Sequence, residues 1–467
     1  MARNAELEAA IVADPEAEGS YVVYGDWLLA EGDPRGELVA VQLALETAEG
    51  ARWAELKRRE QEILWVHAGA LLGPAAHLAP ARRFDWRRGF IDRMYGQFLG
   101  SEGEELMAHP SLALVRAVGD VELDAIRQSD PPLLGELAVK HHALADLLAW
   151  PRVRRLAFEA QANLLAEPEA ALVGRSTLEA LAFRGRDLAP SRACDFPALR
   201  EVRVADGYLP EGALEVALAF VAACPHATLD LALNESSPID ELSPGRVGPI
   251  TRLRLRHQSL QRLRALRGRL PGVRALELSG YYQLDPALAP AEVDVLPSAE
   301  RLISLKIRRR IADPRTSEAL IRSPCAATLE RLELALTDRA AVAALCRGAF
   351  PALRVLELEG SEHPTVVDLD ALADAAPRLD ELALHEARLR QLCASRLAGR
   401  IQTLTFRSTG KLRLMARGLP AIDRLTALRR IRVDVGEPLG PEALEALGRF
   451  GVAVELAANV PAVGELI

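Results

Sequence analysis

Phe196-Pro-Ala-Leu-Arg-Glu-Val-Arg-Val204 and Phe350-Pro-Ala-Leu-Arg-Val-Leu-Glu-Leu358 are two copies of one phrase. Each spaces its apolar residues as L-x-x-L-x-L, with Val allowed for Leu, and ends in the alternation of a half-buried strand. A Pro introduces the strand in both and separates it from what comes before.

The phrase recurs through the chain. Copies begin at Leu112, Leu134, Val153, Leu178, Leu199, Thr228, Ile250, Val273, Leu302, Leu329, Leu353, Leu379, Ile401, Leu428 and Gly451, the last degenerate. Intervals of about 19 to 29 residues are those of leucine-rich repeats. A further strand over Phe90 to Met94 is expected to start the sheet. Helical stretches lie between strands, among them Pro210 to Ala223, Pro314 to Arg322, Arg339 to Cys346, Leu369 to Ala375 and Pro441 to Leu447. Strand alternating with helix forces the strands parallel. The expected fold is α/β: a leucine-rich-repeat solenoid of about 15 repeats, with a curved parallel sheet inside and helices outside. At about 4.8 Å per strand the ladder is on the order of 70 Å long, in a horseshoe or arc. No regular Asn follows the strands, so backbone groups at the turns must find other partners.

Residues 1–80 read differently, as a small α-helical cap ahead of a repeat domain over 81–467. Leu7, Ala10 and Ile11 sit at helical spacing, and the segment stops at Asp14-Pro15. In the next helix Val23, Trp27 and Leu28 can share a face, and Gly32-Asp33-Pro34 ends it. Gly36 to Thr47 supplies a third helix, and Arg52 to Leu72 a fourth that carries Trp53, Leu56, Ile63 and Leu64. Tyr24-Gly-Asp-Trp-Leu-Leu-Ala-Glu-Gly-Asp-Pro-Arg-Gly-Glu-Leu38, followed by Val41-Gln-Leu43, resembles the repeat-companion domain that precedes leucine-rich repeats in some bacteria with large genomes. Trp86-Arg-Arg-Gly-Phe-Ile91 resembles the start of the repeats in such proteins. The resemblance departs at Gly25, where Ala is expected. It implies a helical cap joined to a repeat array, with no catalytic activity to carry over. Asp26 and Asp33-Pro-Arg35 gather charge beside aromatic residues, which invites a functional reading. On the structural one, Asp26 bonds backbone donors, Arg35 pairs with Asp26 or Glu37, and the motif fixes a turn.

Composition narrows the class. Aromatic residues are 4% of the chain, so aliphatic side chains must build the core. The run Val216 to Cys224 falls well short of the roughly 20 residues a membrane-spanning helix needs. Met1-Ala-Arg-Asn-Ala-Glu-Leu-Glu lacks the basic start and apolar stretch of a secretory signal, which places the expected protein in the cytoplasm. Cys194, Cys224, Cys325, Cys346 and Cys393 show no C-x-x-C spacing and read as buried reduced thiols. A formal net charge of -8 disfavours general nucleic-acid binding, although a local basic patch survives inside an acidic total.

Residues between the core positions of each strand point away from the interior. Taken in order they are Arg116, Ala138, Ala157, Ala182, Arg203, Ala232, Arg254, Glu277, Lys306, Glu333, Glu357, Ala383, Thr405, Arg432 and Glu455. The alanine-rich part is either a smooth floor for a partner or is covered by loops or the N-terminal helices. Arg254, Glu277, Lys306 and Glu333 alternate in sign as a self-neutralising ladder would. Arg252, Arg254 and Arg256 share a strand, with Arg262, Arg264, Arg267 and Arg269 following and Lys306, Arg308, Arg309 and Arg310 further on. This basic patch reads either as a solvated face or as a site for carboxylate or phosphate. Glu357, Glu359 and Glu381 make a separate acidic neighbourhood.

Phosphate-loop, metal-helix and nucleophile-elbow motifs are absent from the sequence. His141-His142 reads as a surface pair, and His385-Glu386 with Cys393 has no established adjacency. The expectation is a non-catalytic scaffold or regulator without cofactor. It would bind a partner protein, for instance one encoded nearby, through Arg252, Arg254, Arg256, Lys306, Arg308, Glu333, Glu357, Glu359 and Glu381. The alternative is a sensor of nucleic acid or another polyanion through the Arg252 to Arg310 patch.

Overall fold

Leucine, valine and isoleucine at every second position make a strand whose one face must be buried, and the chain repeats that demand from end to end. The structure, a computed structural model, describes residues 2–81, 83–98, 101–139, 152–158, 177–184, 197–205, 213–224, 226–234, 237, 250–256, 260–266, 269–279, 287–296, 301–336, 338–359, 367–384, 388–408, 412, 414, 419, 421–435 and 439–457. Among these residues the strands form one sheet of 17. They are β1 (Phe84–Arg87), β2 (Phe90–Phe98), β3 (Ala117–Val121), β4 (Glu136–Val139), β5 (Arg155–Phe158), β6 (Ala180–Arg184), β7 (Glu201–Ala205) and β8 (Thr228–Leu233). The second half adds β9 (Ile250–Arg256), β10 (Ala275–Ser279), β11 (Ser304–Ile311), β12 (Arg331–Leu336), β13 (Val355–Glu359), β14 (Glu381–Leu384), β15 (Thr403–Ser408), β16 (Arg430–Val435) and β17 (Ala453–Leu456).

β1 and β2 form an antiparallel hairpin. From β2 onward each strand pairs parallel with the next in chain order, so the expected solenoid is what the chain builds. Segments such as Ala213–Ala223, Pro314–Arg322, Arg339–Cys346 and Leu369–Ala375 return the chain as helices. Aspartates at their starts accept from backbone N–H groups: Asp338 from Ala340 and Ala341 (2.7 and 3.0 Å), Asp368 from Ala371 (2.9 Å). Leu253, Leu305, Leu332, Leu404 and Ile431 line the interior with no exposed surface. Burial of this kind stabilises by roughly 1.5–3 kcal/mol per large aliphatic side chain.

Two phasings differ from the sequence expectation. In β3 it is Val118 that stands opposite Leu137, so the inward column passes through Gly119, and Arg116 lies ahead of the strand. At β8 the sheet slips by two residues. Leu229 and Leu231 match Val202 and Val204 of β7, while Leu231 and Leu233 match Leu253 and Leu255 of β9. Thr228 is thus the right start toward β9 and two residues late toward β7.

Four helices open the chain: α1 (Ala5–Ala13), α2 (Glu18–Ala30), α3 (Pro34–Thr47) and α4 (Gly50–Val66). The expected fourth helix is divided at His67, and Ala68–Leu72 forms a separate turn. The buried face of α2 is Tyr21, Tyr24, Gly25 and Leu28, whereas Val23 faces outward at 56% exposure. Gly25 has a steric reason: a Cβ there would stand 2.9 Å from Val39 Cγ1 where α2 crosses α3.

Arg35 pairs with neither Asp26 nor Glu37. It is fully buried and forks onto Asp33, Nε to Oδ1 at 3.1 Å and Nη2 to Oδ2 at 2.9 Å. Its remaining donors reach the carbonyls of Pro110 (2.9 Å) and Ala2, and its guanidinium lies 5.3 Å from the centre of the Phe90 ring. Asp33 also accepts from the N–H of Arg35 and so caps α3. Burial opposes ionisation of Asp33, but the hydrogen bonds and charge of Arg35 outweigh it and hold the carboxyl below its ordinary pKa. Asp26 is exposed, and Glu37 pairs with Arg59 at 2.5 Å.

The same helices hold the hairpin. Arg88 donates to both carboxylate oxygens of Glu46 (2.6 and 2.9 Å), and Gly89 donates its N–H to Gln42 Oε1 at 2.7 Å. At φ +82° and with Val39 Cγ2 2.4 Å from where a Cβ would be, position 89 admits only glycine.

The far end of the array returns to this region. The last helix, Pro441–Gly448, packs on α4. The seam is built from glycine: a Cβ on Gly448 would stand 2.9 Å from both Gly50 O and Ala54 Cβ. Trp53, Leu56, Leu444 and Leu447 belong to one continuous apolar core with the repeats. The expected open horseshoe therefore has its ends joined by α4.

Candidate functional site: the inner face of the sheet

The inner face begins apolar. Ala117, Ala138, Ala157 and Ala182 pack as a cluster of buried residues, and Ala138 and Ala157 have no exposed surface. A floor open to solvent does not describe these alanines, which are buried.

Charge takes over at Arg203. The slip at β8 places Asp230, rather than Ala232, opposite Arg203. Asp230 is 5% exposed and lies among three guanidinium groups: Arg203 at 3.1 Å, Arg254 at 3.2 Å and Arg252 at 3.6 Å. Sequence reading passed over it because the L-x-x-L-x-L frame was set on Thr228. Phasing on Leu229 and Leu231 would have exposed Asp230 as the inward acid.

Other basic residues of the expected patch are paired as well. Lys306 bonds Glu333, and Arg308 meets Glu277 at 2.9 Å across adjacent strands. Arg309 turns to Glu292 of the short helix Pro290–Val293, donating Nη1 to Oε1 at 2.6 Å. Arg256 ends β9 exposed, opposite Ser279. Acids on neighbouring elements thus reach Arg252, Arg254, Lys306, Arg308 and Arg309, with Asp230 shared among Arg203, Arg252 and Arg254.

The acidic neighbourhood is answered in the same way. Glu333 also accepts from Arg331 at 2.9 Å. Its burial raises the carboxyl pKa, but Lys306 and Arg331 more than reverse this and leave it lowered. Glu357, 2% exposed, bonds Arg407 two strands away, and Glu381 accepts from Arg432 Nη1 at 3.0 Å. Arg432 and Arg430 both reach Glu455, at 3.1 and 3.0 Å. Glu359 ends β13 with its backbone opposite Ala335, and its side chain lies outside the described residues. The other eight expected residues therefore share one face without forming one cluster. Asp230, Arg203, Arg331, Arg407 and Arg432 complete it.

Cys224, Cys325, Cys346 and Cys393 are buried free thiols, and burial pushes that of Cys346 up to about 11. Cys194, His141-His142 and His385-Glu386 lie outside the described residues. Among the described residues no three His, Cys, Asp or Glu side chains are grouped to share a metal ion, and no helix is long and apolar enough to cross a membrane.

No family model matches the chain, and no curated protein matches it in sequence. The crystal structure of the leucine-rich repeat-containing protein LegL7 from Legionella pneumophila is similar over 62% of this chain and 100% of that one, at 14% identity and a TM-score of 0.32. The class rests on the chain's own topology: a leucine-rich-repeat-like solenoid with a helical N-terminal region.

Proposed function

We propose that the protein is a non-catalytic scaffold or regulator that binds a partner protein on the inner face of its repeats. The observation that carries this is the inner face of the parallel ladder from β7 to β17, a preformed surface on which acids and bases are interleaved. A rigid surface loses little conformational freedom on binding, and its fixed charges select a partner of complementary pattern. In this reading residues 1–80 form a repeat-companion-like cap on an array over 81–467, acting in the cytoplasm. The polyanion reading is weaker, because Arg308 is paired with Glu277 and Lys306 with Glu333, and Arg252 and Arg254 are both drawn to Asp230.

Affinity capture of the full chain from native cytoplasm, at low and moderate salt with mass spectrometry and a nucleic-acid stain, tests the reading. A stoichiometric protein that survives moderate salt and is lost on Glu381→Arg is expected. Nucleic acid alone, released as salt rises, would overturn it.

A further inference from the structure

The outer side of α2 leaves apolar surface uncovered. Among the described residues six large apolar side chains are exposed, and five of them, Val22, Val23, Leu29, Trp65 and Val66, belong to the N-terminal helices. Three of the five lie on α2, which is apolar on two sides. Tyr21, Tyr24, Gly25 and Leu28 face the core, while Gly19, Val22, Val23, Asp26, Leu29 and Ala30 face outward at the same helical spacing. A surface helix ordinarily turns charge toward solvent on that side, so a second apolar face marks a docking surface. The stripe is open: Val22, Val23 and Leu29 are 42%, 56% and 48% exposed, and no heavy atom lies within 4 Å of where a Cβ on Gly19 would stand.

Its charges decide what fits. Glu18 and Glu31 bracket the stripe and Asp26 sits within it, all three exposed. None of the three has an ion-pair partner among the described residues, whereas Glu8, Glu16 and Glu46 on neighbouring segments are each held by an arginine. Glu31 stands at the C-terminal end of α2, where the helix dipole is negative and no base occupies the last turn. A cation brought there relieves both the dipole and the unpaired acids. The same charges exclude two other occupants. A second copy laid two-fold on this stripe would set acids against acids, and an anionic lipid surface would be repelled.

We infer that the outer face of α2 docks an amphipathic helix of a partner protein, one whose apolar ridge is flanked by lysine or arginine. The contact runs from Gly19 to Ala30, about 16 Å along the helix axis. Val22, Val23 and Leu29 pack against the ridge, and Asp26 and Glu31 take the flanking bases. This surface is separate from the inner face of the sheet and does not depend on the function proposed above.

A model helix tests it without the natural partner. The probe is a fluorescein-labelled peptide of about 18 residues with leucine at the a and d positions of each heptad and lysine flanking them. Two control peptides carry glutamate for lysine or serine for leucine. Anisotropy is read on the full chain at about 0.15 M salt, which screens the general attraction of a chain of net charge -8. The leucine/lysine peptide should bind at least about tenfold tighter than either control. Val23→Lys and Leu29→Lys, each at an exposed position, should weaken it at least about tenfold, and Asp26→Asn about threefold. Glu442→Lys, at an exposed position on the last helix, changes net charge by more than Val23→Lys does and should leave binding within about twofold.

Failure of the leucine/lysine peptide to bind would overturn the inference, as would equally tight binding of the glutamate peptide. So would binding that survives in folded Val23→Lys and Leu29→Lys proteins, or a dimer in sedimentation velocity that Val23→Lys dissociates, because a second copy would then cover the stripe. Failure of affinity capture to yield any protein lost on Glu381→Arg would instead remove the inner-face function and leave the peptide result standing.

Discussion

Arg35 and Asp33 are two residues apart in sequence, and their side chains face each other at 2.9 Å with 0% and 2% exposure. A fully buried ion pair is weak support for stability as a pair, but strongly costly to break. Arg35→Met, which leaves Asp33 buried and charged, should destabilise the protein by about 3–5 kcal/mol. Adding Asp33→Asn should recover part of that loss while keeping the cap on α3. Urea titration followed by tryptophan fluorescence reads both, and an Arg35→Met variant as stable as the parent would show that the pair does not hold the helices to Pro110.

Gly25 and Gly19 lie on the same helix and should respond to alanine in opposite directions. Nothing lies within 4 Å of a Cβ at Gly19, so Gly19→Ala should stabilise by about 0.5–1 kcal/mol. Gly25→Ala must displace Val39 and should cost about 1–3 kcal/mol despite the better helix former. Thermal melts of the two variants, and of Gly25→Ala with Val39→Ala as relief, decide whether the crossing is as tight as drawn.

Asp230 separates residues that hold the inner face from those that only decorate it. Asp230→Asn leaves three arginines close together without their acid and should cost about 3 kcal/mol or more. Arg252→Ala removes an exposed partner at 3.6 Å and should change stability by less than about 0.5 kcal/mol. Far-UV circular dichroism during urea titration distinguishes these, and equal losses from both would contradict the burial pattern.

Tyr24 gives a pH signature. Burial, reinforced by its hydrogen bond to Glu8 at 2.8 Å, raises the phenol from about 10 to about 12. Because the folded value is the higher one, the stability tied to this group is complete below about pH 10 and is lost as pH rises toward 12. Alkaline unfolding monitored at the phenolate absorbance band should show this component, and Tyr24→Phe should remove it.

Much of the fold was legible because the strand phrase is local: three apolar positions within six residues declare a face wherever they occur. The slip at β8 was not, since Leu229, Leu231 and Leu233 alternate evenly and either pair satisfies the frame. Charge pairing was hidden for a different reason. Glu357 and Arg407 are 50 positions apart and meet only because the repeats place β13 and β15 on either side of one intervening strand, so an arginine-rich stretch such as Arg252 to Arg256 looks unanswered until its neighbours are in place. The seam had the least signature of all. Gly50 and Gly448 are ordinary glycines in sequence; the close approach of two backbones explains Gly448, and at Gly50 a φ of +59° adds to it.

That seam also alters how the molecule can come apart. A linear repeat array frays from its termini, each unit held by one neighbour on one side and free to unravel in turn. With α4 set against the last helix, the terminal repeats have neighbours on both sides, and losing either end also means parting the two termini of the chain. Unfolding should therefore be more cooperative than the repeat count suggests, and cutting the chain anywhere in the circle should restore the graded melting of an open array.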